Sequence, residues 1–184
     1  MKINNVIKLI ISVVICEMAG VIGSIFTIPA IPDWYAFLEK PVLTPPGPVF
    51  GPVWTALYAL MGISLFLVWK NNWKVRDERR GVRGERKAWN KWSEKFWRGS
   101  WQKQNAVAVF AVQLALNVLW SVVFFGMRQP GLAFFVIMAL WVAIVYTIVN
   151  FYRISKPAAW LLVPYILWVS FAAYLNYSIW MLNL

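Results

Sequence analysis

The sequence predicts an all-α integral membrane protein, a five-helix transmembrane bundle that forms a single domain over residues 1–184. Of the 184 residues, 61% are hydrophobic and only 14% are charged, and the mean hydropathy is +0.61. Such a composition excludes an ordinary soluble globular protein. Each of five apolar runs is long enough to cross a hydrocarbon core of roughly 30 Å at about 1.5 Å of rise per residue. The predicted spans are about residues 6–28, 48–69, 106–127, 131–152 and 158–182.

The residue types that carry metal and acid–base chemistry are scarce. The chain has one cysteine, Cys16, and no histidine, so it lacks an intrachain disulfide and the commonest general base and metal ligand. Four of its seven acidic residues lie in one basic loop. The sequence therefore predicts no metal site and no bound cofactor.

The first span follows Lys2 and includes Lys8, a pattern that secretory signal peptides share. The apolar run over residues 6–28 is too long for a signal peptide and lacks a small-residue cleavage site, so we interpret it as a transmembrane helix. Glu17 falls within this run, where a charge is expected to face the protein interior or water. We interpret Glu17 as a structural group that hydrogen-bonds to a neighbouring helix rather than as a proton relay.

A proline-rich loop over residues 29–47 separates the first two spans. Pro41, Pro45, Pro46 and Pro48 have no amide hydrogen, and each pushes its predecessor toward extended backbone. A helix can begin at Pro48, since proline is tolerated in a first turn. Because the loop is stiffer than a Gly/Ser linker, we expect it to form a rigid lid over the bundle.

Residues 70–104 form a basic, aromatic loop insertion. They contain 12 Lys or Arg and four Asp or Glu residues, which contribute a net +8 to the chain's net charge of +11. Trp89, Trp92 and Phe96 recur there at helical spacing, which is typical of a helix on an anionic membrane surface. Nucleic-acid binding is the other interpretation, but we do not expect it in a segment tethered to spans at both ends.

The distribution of basic residues predicts the orientation in the membrane. Of the 18 Lys and Arg residues, 16 fall on the side that holds the N-terminus, residues 70–104 and the connection at 153–157. Only Lys40 and Arg128 fall on the other side. The positive-inside rule then places the N-terminus and the 70–104 loop in the cytoplasm, and the 29–47 loop and the C-terminus outside.

Polar and large aromatic side chains within the spans point to a cavity. The polar ones are Gln113, Asn117, Asn150 and Asn176. The tryptophans away from the span ends are Trp54, Trp120 and Trp168. Hydrogen bonding between helices and core packing are the simplest roles for any one of these residues. Aromatic rings and amides beneath a proline lid, taken together, favour a site for a flat hydrophobic ligand.

Short motifs recur along the chain, in the loop after the first span and in the second, third and fifth spans. They are Trp34-Tyr35-x-x-Leu38-x-Lys40-Pro41, Pro45-Pro46, Gly51-Pro52-Val53-Trp54-x-x-Leu57-Tyr58-x-x-Met61-Gly62, Leu67-Val68-Trp69-Lys70, Gln113-Leu114-Ala115-Leu116-Asn117, Phe124-Phe125-Gly126-x-Arg128-Gln129, Pro164-Tyr165-x-x-Trp168 and Phe171-Ala172-x-x-Leu175-Asn176-Tyr177-x-x-Trp180. Through these motifs and their order, the chain resembles the translocator protein family, also called TspO or tryptophan-rich sensory protein and related to the peripheral-type benzodiazepine receptor.

The resemblance implies a five-helical, often dimeric membrane protein with a cavity under the loop between helices 1 and 2. It implies that the ligands are porphyrins or other tetrapyrroles, sterol-like molecules and synthetic aromatic compounds. The implied ligand contacts are Tyr35, Trp54, Asn117, Trp120, Trp168 and Ala172, and the proline lid adds Pro45. Trp54 and Trp168 also match two tryptophans that the family uses in porphyrin breakdown.

The chain departs from the family pattern at three places. Leu43 stands where the family usually has tryptophan, and Met181 stands where a sterol-recognition stretch would need Lys or Arg. The 70–104 loop is much longer than the family's connection, so the resemblance assigns it no role.

The predicted function is that of a receptor or sensor-type membrane protein that binds porphyrins and related flat ligands for sensing, sequestration or transport. A porphyrin-degrading enzyme that uses Trp54 and Trp168 and a passive transporter are the alternatives. Counting residues along the helices, we expect Trp54 near the outer end of the cavity and Trp168 about 12 Å deeper. The two rings would then line one cavity without stacking on each other.

Overall fold

The computed structural model describes residues 4–71 and 99–184, and for residues 99–103 it describes the backbone alone. The helices are α1 (Asn5–Asp33), α2 (Gly47–Lys70), α3 (Gly99–Ser121), α4 (Pro130–Ile154), α5 (Lys156–Trp160) and α6 (Val163–Leu182). A 3-10 turn at Tyr35–Phe37 follows α1, and a π-helical turn at Val122–Gly126 continues α3. Within the described residues, five helical segments are long and apolar enough to cross a membrane. The predicted fold class, a five-helix transmembrane bundle, is confirmed.

α1 extends to Asp33, beyond its predicted end at residue 28, and it contains Pro29 and Pro32. Both prolines remove a backbone hydrogen bond, a loss that membrane helices tolerate where neighbouring segments compensate. Ala30 lies between them, is only 5% exposed, and accepts a hydrogen bond from the Trp34 amide at 3.1 Å. Assigning these prolines to the loop was wrong, because packing and the following backbone hydrogen bond stabilise the turn that they weaken.

α3 begins at Gly99, before the predicted start near residue 106, so the last residues of the predicted 70–104 loop belong to a helix. The predicted basic, aromatic helix on the membrane surface concerns residues 72–98, which lie outside the described residues. That part of the prediction stays a prediction.

The C-terminal end of the third span is a π-helical turn. The amide of Met127 donates to the carbonyl of Val122, five residues earlier, at 2.8 Å. Arg128 then adopts φ 56°, in the left-handed region, and α4 begins at Pro130. The π turn brings two consecutive aromatic residues, Phe124 and Phe125, to the same side of the bundle, where both line the cavity described below.

The fifth predicted span, 158–182, consists of two helices in the structure. α5 ends at Trp160, and α6 begins at Val163 after a turn. Pro164 occupies the first turn of α6, and without an amide it cannot donate to the Trp160 carbonyl, which accounts for the break. The hydroxyl of Ser64 in α2 donates to the Ala158 carbonyl at 2.7 Å and anchors α5 to the bundle.

α1 and α2 pack closely where glycine provides the space. A Cβ on Gly62 would lie 2.5 Å from the Cα of Val13, and a Cβ on Gly20 would lie 2.5 Å from the ring of Tyr58. The first contact brings the two backbones together. The second lets the Tyr58 ring rest against α1, which forms part of the cavity wall.

The outward faces of the helices are apolar. Large exposed hydrophobic side chains on α1 are Val6, Ile10, Val14, Met18 and Ile25. Exposed apolar surface of this extent is typical of contact with lipid rather than with water.

Candidate functional site

A cavity of about 460 Å³ lies between α1, α2, α3 and α6, at the end of the bundle where α1 ends and α2 begins. Small-molecule sites commonly enclose about 300–1,000 Å³, so this volume suits a ligand of moderate size. The aromatic side chains that line it are Tyr35, Phe50, Trp54, Tyr58, Trp120, Phe124, Phe125 and Trp168. The cavity is therefore walled by flat apolar surfaces from several elements.

The structure brings together most of the sequence-predicted site residues. Those that line the cavity are Tyr35, Trp54, Asn117, Trp120, Trp168 and Ala172. Pro45 does not line it, because it lies in the loop before α2, and the loop-side end of the lining is formed by Gly47. That these residues bind a ligand stays a prediction.

Trp54 and Trp168 do not stack, but their depths are the reverse of the prediction. The Trp168 ring meets Phe50 with centroids 5.9 Å apart, whereas the Trp54 ring meets Tyr165 at 6.5 Å. Phe50 precedes Trp54 by one turn on α2, and Tyr165 precedes Trp168 by about one turn on α6. Trp168 therefore lies nearer than Trp54 to the end of the bundle where α2 begins.

The predicted depths of Trp54 and Trp168 were wrong because α2 does not begin at the depth in the membrane at which α6 ends. Asn183, directly after α6, hydrogen-bonds to Glu39, which precedes the first residue of α2, Gly47, by eight positions. The intervening loop carries the chain into the bundle before α2 starts. Residue counts along the two helices therefore began from different depths.

Trp120 is fixed by a hydrogen-bonded chain. Its Nε1–H donates to Asn176 Oδ1 at 2.9 Å, and Asn176 Nδ2 donates to the Pro130 carbonyl at 2.7 Å. Its ring stacks on Phe124 with centroids 5.2 Å apart. Because the polar edge of the indole is already paired, Trp120 offers the cavity an apolar surface in a fixed orientation.

Asn117 joins two tyrosines at the opposite end of the cavity from the loop. Its Oδ1 accepts a hydrogen bond from the Tyr58 hydroxyl, and its Nδ2 donates to the Tyr165 hydroxyl at 3.1 Å. Asn117 is only 2% exposed. A carboxamide offers two donors and two acceptor sites, so part of the polar capacity that the sequence assigned to the ligand holds the bundle together instead.

The outer end of the cavity is covered by the 3-10 turn. The Trp34 ring meets Phe124 at 5.6 Å, and the Tyr35 ring meets Phe125 at 5.7 Å. Lys40 Nζ lies 4.8 Å from the centre of the Tyr35 ring. Burial raises the pKa of the Tyr35 phenol, so this hydroxyl stays a neutral hydrogen-bonding group above the cavity.

Sequence reasoning missed the face that α1 presents to the cavity. Glu17, Gly20, Ser24 and Thr27 line it at spacings of three and four residues. The sequence did contain a signal for this face: small and polar residues recur every three or four positions within an apolar run, as on one side of a helix. The hydroxyls of Ser24 and Thr27 donate to carbonyls about one turn back in their own helix, at 2.7 and 3.1 Å, so their donors are already used.

Glu17 differs from its neighbours on this face. It is partly buried and lines the cavity, yet the hydrogen bonds and ion pairs of the described residues include none to its carboxylate. The predicted hydrogen bond to a neighbouring helix is therefore not found. Glu17 is also the one formally charged side chain in the described cavity lining.

Few groups suited to metal or acid–base chemistry lie at the cavity among the described residues. Among the described residues, no group of three or more His, Cys, Asp or Glu side chains is placed to hold a metal ion. A single carboxylate lacks a paired acid or base in the described lining. The lining combines apolar and aromatic surface with a few polar groups, which is typical of small-molecule sites in proteins.

Comparison with known proteins gives one consistent result. The sequence profile of the TspO/MBR family matches residues 12–181. The chain is 38% identical to the tryptophan-rich protein TspO of Archaeoglobus fulgidus over 179 residues, which are 97% of this chain and 99% of that protein. It is 35% identical to the translocator protein of Ovis aries over 152 residues, covering 82% of this chain and 75% of that protein. It is 33% identical to the tryptophan-rich sensory protein of Cereibacter sphaeroides over 151 residues, covering 82% and 77%. This chain belongs to the TspO/MBR family.

Proposed function

We propose that this membrane protein binds porphyrins and related flat hydrophobic ligands in the cavity between α1, α2, α3 and α6, for sensing, sequestration or transport. One observation carries the proposal: an apolar cavity of about 460 Å³ has aromatic walls on several of its surrounding elements. A tetrapyrrole is flat and apolar over its faces, so aromatic side chains contact it over a large area with little loss of side-chain entropy.

The fixed orientation of the walls supports this proposal. Trp120 is held by Asn176 and stacked on Phe124, and Trp168 packs against Phe50 at 5.9 Å. Ala172 lies one turn beyond Trp168 on α6 and lines the cavity with a small side chain. Preformed walls lower the entropic cost of binding, and a small residue between aromatic ones leaves room for the edge of a ring.

Titration with protoporphyrin, followed by quenching of tryptophan fluorescence, tests the proposal. Ala172→Phe fills the space beside Trp168, and we expect it to weaken binding by at least about tenfold, which corresponds to about 1.4 kcal/mol. We expect Trp54→Phe and Trp168→Phe to weaken binding by a smaller factor, because each removes part of an aromatic wall. Trp160→Phe is the matched control, since Trp160 is 66% exposed on α5 and does not line the cavity. Wild-type affinity in all three cavity variants would contradict the proposal.

Porphyrin degradation is the alternative function, and it is supported by the position of Trp54 and Trp168, which both line the cavity. Both indoles would then contact the bound ring, where they could take part in redox or light-driven chemistry. Incubation with protoporphyrin in light and in the dark, followed by product spectra, separates binding from breakdown. Loss of product in Trp54→Phe and Trp168→Phe, with binding retained, would favour the enzyme. Exchange of labelled porphyrin across proteoliposome membranes tests passive transport.

We further propose that the N-terminus and the 70–104 loop face the cytoplasm and that the C-terminus lies outside. The proposal rests on the 16 of 18 Lys and Arg residues that fall on the side of the N-terminus and the 70–104 loop.

A homodimer is proposed on the small side chains of Ala108, Ala111 and Ala115, which are all exposed along one side of α3. Small residues permit close approach of helices in a bilayer.

A further inference from the structure

We propose that Glu17 determines the specificity of the cavity: its carboxylate binds a cationic nitrogen of the ligand, so flat apolar molecules that carry a protonated amine are preferred over neutral ones of the same shape. The inference rests on the proposed function, because it names the ligand class that the same cavity prefers.

Glu17 lies at the deep end of the cavity. The lining residues of α1 run from Glu17 to Ile31, a rise of about 21 Å along the helix. Glu17 is the first of them, at the end away from the loop, where α2 contributes Tyr58 as its last lining residue and α3 contributes Asn117 as its first. A ligand that fills the cavity from the loop downward therefore reaches Glu17 with its leading edge.

The polar groups beside Glu17 are already paired with one another. The Tyr58 hydroxyl donates to Asn117, and Asn117 donates to Tyr165. The Glu17 carboxylate makes no such contact with the described residues. A charged group inside a membrane protein is costly unless it is paired or hydrated, so a cationic partner brought by the ligand gains a strong interaction there.

The carboxylate is accessible from within the cavity. In the two turns that follow Glu17 on the lining face of α1, Gly20 and Gly23 carry no side chain. The Gly20 position is needed as glycine, since a Cβ there would lie 2.5 Å from the ring of Tyr58. The two glycines make room for Tyr58 and Ser121, and the carboxylate is reached through Glu17 itself, which lines the cavity and is only partly buried.

No cation of the described residues reaches this place. Lys8, nine residues before Glu17 on α1, lies 5.9 Å from the centre of the Trp69 ring. Lys40 lies over the Tyr35 ring at the opposite end and donates to backbone carbonyls. Neither lysine lines the cavity, so the described lining leaves the charge of Glu17 for a ligand to balance.

A protonated amine fits this end of the cavity in two ways. A charge-assisted hydrogen bond to a carboxylate is about twice as strong as a neutral one. The ring of Trp54, which lines the cavity beside Tyr58, offers a π face, which also attracts cations. Anionic substituents, by contrast, are repelled by Glu17 and are expected to face the loop end.

The test uses two porphyrins that differ in one pair of groups. Both propionates of protoporphyrin are converted either to 2-aminoethyl amides, which are cationic, or to 2-hydroxyethyl amides, which are neutral and of equal size. We expect wild-type protein in detergent to bind the amine about ten- to a hundredfold more tightly, the effect of a hydrogen bond between charged groups. Glu17→Gln keeps the size and removes the charge, so it should abolish the preference and bring the affinities for the two porphyrins together.

Two further variants control for changes in folding. Glu17→Asp retains the charge and should retain most of the preference, whereas Ser24→Ala, on the same lining face, should leave it unaltered because the Ser24 hydroxyl is bound to its own helix. A preference that is absent in wild type, or that persists in Glu17→Gln, overturns the role of Glu17 while the proposed function stands. If neither porphyrin binds the wild-type protein, the proposed function fails and this inference fails with it.

Discussion

Asn183, the residue that follows α6, exchanges two hydrogen bonds with the backbone of Glu39 in the loop between α1 and α2. The Glu39 amide donates to Asn183 Oδ1, and Asn183 Nδ2 donates to the Glu39 carbonyl, both at 3.0 Å. Asn183 Nδ2 also lies 2.8 Å from the carbonyl of Ile179, a cavity-lining residue of α6. One amide side chain thus ties the loop over the cavity to the helix that forms one of its walls.

Asn183→Ala should loosen the loop without unfolding the bundle. Both hydrogen bonds are exposed, and a typical hydrogen bond contributes only about 1 kcal/mol, so Tm should change little. Two exposed hydrogen bonds at the low end of the usual range, about 0.5 kcal/mol each, amount to about 1 kcal/mol, so we expect bound porphyrin to dissociate about fivefold faster in stopped-flow displacement. Asn183→Asp keeps the acceptor for the Glu39 amide and should give an intermediate rate. Equal rates in Asn183→Ala and wild type would show that this contact does not hold the lid.

Replacing Pro45 and Pro46 with glycine should weaken ligand binding although Pro45 does not line the cavity. Each proline restricts the loop before binding, and its loss adds about 0.4–1 kcal/mol of conformational entropy to overcome. We therefore expect several-fold weaker porphyrin affinity with an unchanged helical circular dichroism spectrum. Val42→Ala, at a fully exposed position in the same loop, serves as the control. Unchanged affinity in the double variant would contradict the idea of a rigid lid.

Gly62→Ala should destabilise the bundle, whereas Gly51→Ala on the same helix should not. A Cβ at position 62 would lie 2.5 Å from the Cα of Val13, but a Cβ at position 51 would meet nothing within 4 Å. We expect a loss of about 1–3 kcal/mol in the free energy of unfolding for Gly62→Ala, the usual effect of overpacking. Gly51→Ala should be neutral or stabilising by up to about 1 kcal/mol. Thermal melts in detergent without ligand compare the two, and equal melting temperatures would show that α1 and α2 can separate at no cost.

The sequence predicted the five spans because hydropathy and length are strong local signals. It misplaced ends that depend on contacts between distant segments. α1 continues through Pro29 and Pro32, because packing and backbone hydrogen bonds stabilise a turn that local preference disfavours. The π turn at Val122–Gly126 is likewise not revealed by hydropathy or length, whereas the interruption after Trp160 follows from the local effect of Pro164.

The family resemblance predicted which residues line the cavity, but it did not predict how those residues are arranged within it. Residue counts gave Trp54 and Trp168 the wrong order in depth, because they carry no information on how far the loop descends before α2. The pairing of Asn117 with Tyr58 and Tyr165 joins three helices, so no local pattern reveals it. Glu17 was visible as a charge in a span, but which face of α1 meets the cavity depended on the packing of α1 against α2.

Cysteine labelling tests the proposed orientation. After replacement of Cys16, which is fully buried, Leu43→Cys introduces a thiol at a loop position that is 63% exposed. A membrane-impermeant maleimide should label position 43 in intact cells. Gly84→Cys, in the segment outside the described residues, should be labelled only after the membrane is permeabilised. The opposite pattern would show that the charge of the 70–104 loop does not set the orientation.

Leucine at positions 111 and 115 should convert a dimer to monomers if copies of the protein associate through α3. Ala111 and Ala115 are four residues apart and exposed, and larger side chains there would hold the helix backbones apart in a bilayer, where close packing drives association. We expect the Ala111→Leu/Ala115→Leu variant to lose the dimer peak in light scattering coupled to size-exclusion chromatography. Ala56→Leu, at an exposed position on α2, should leave the dimer intact. Because neither alanine of α3 lines the cavity, the monomeric variant should still bind porphyrin with wild-type affinity, and a dimer that persists in it would move the interface to another face.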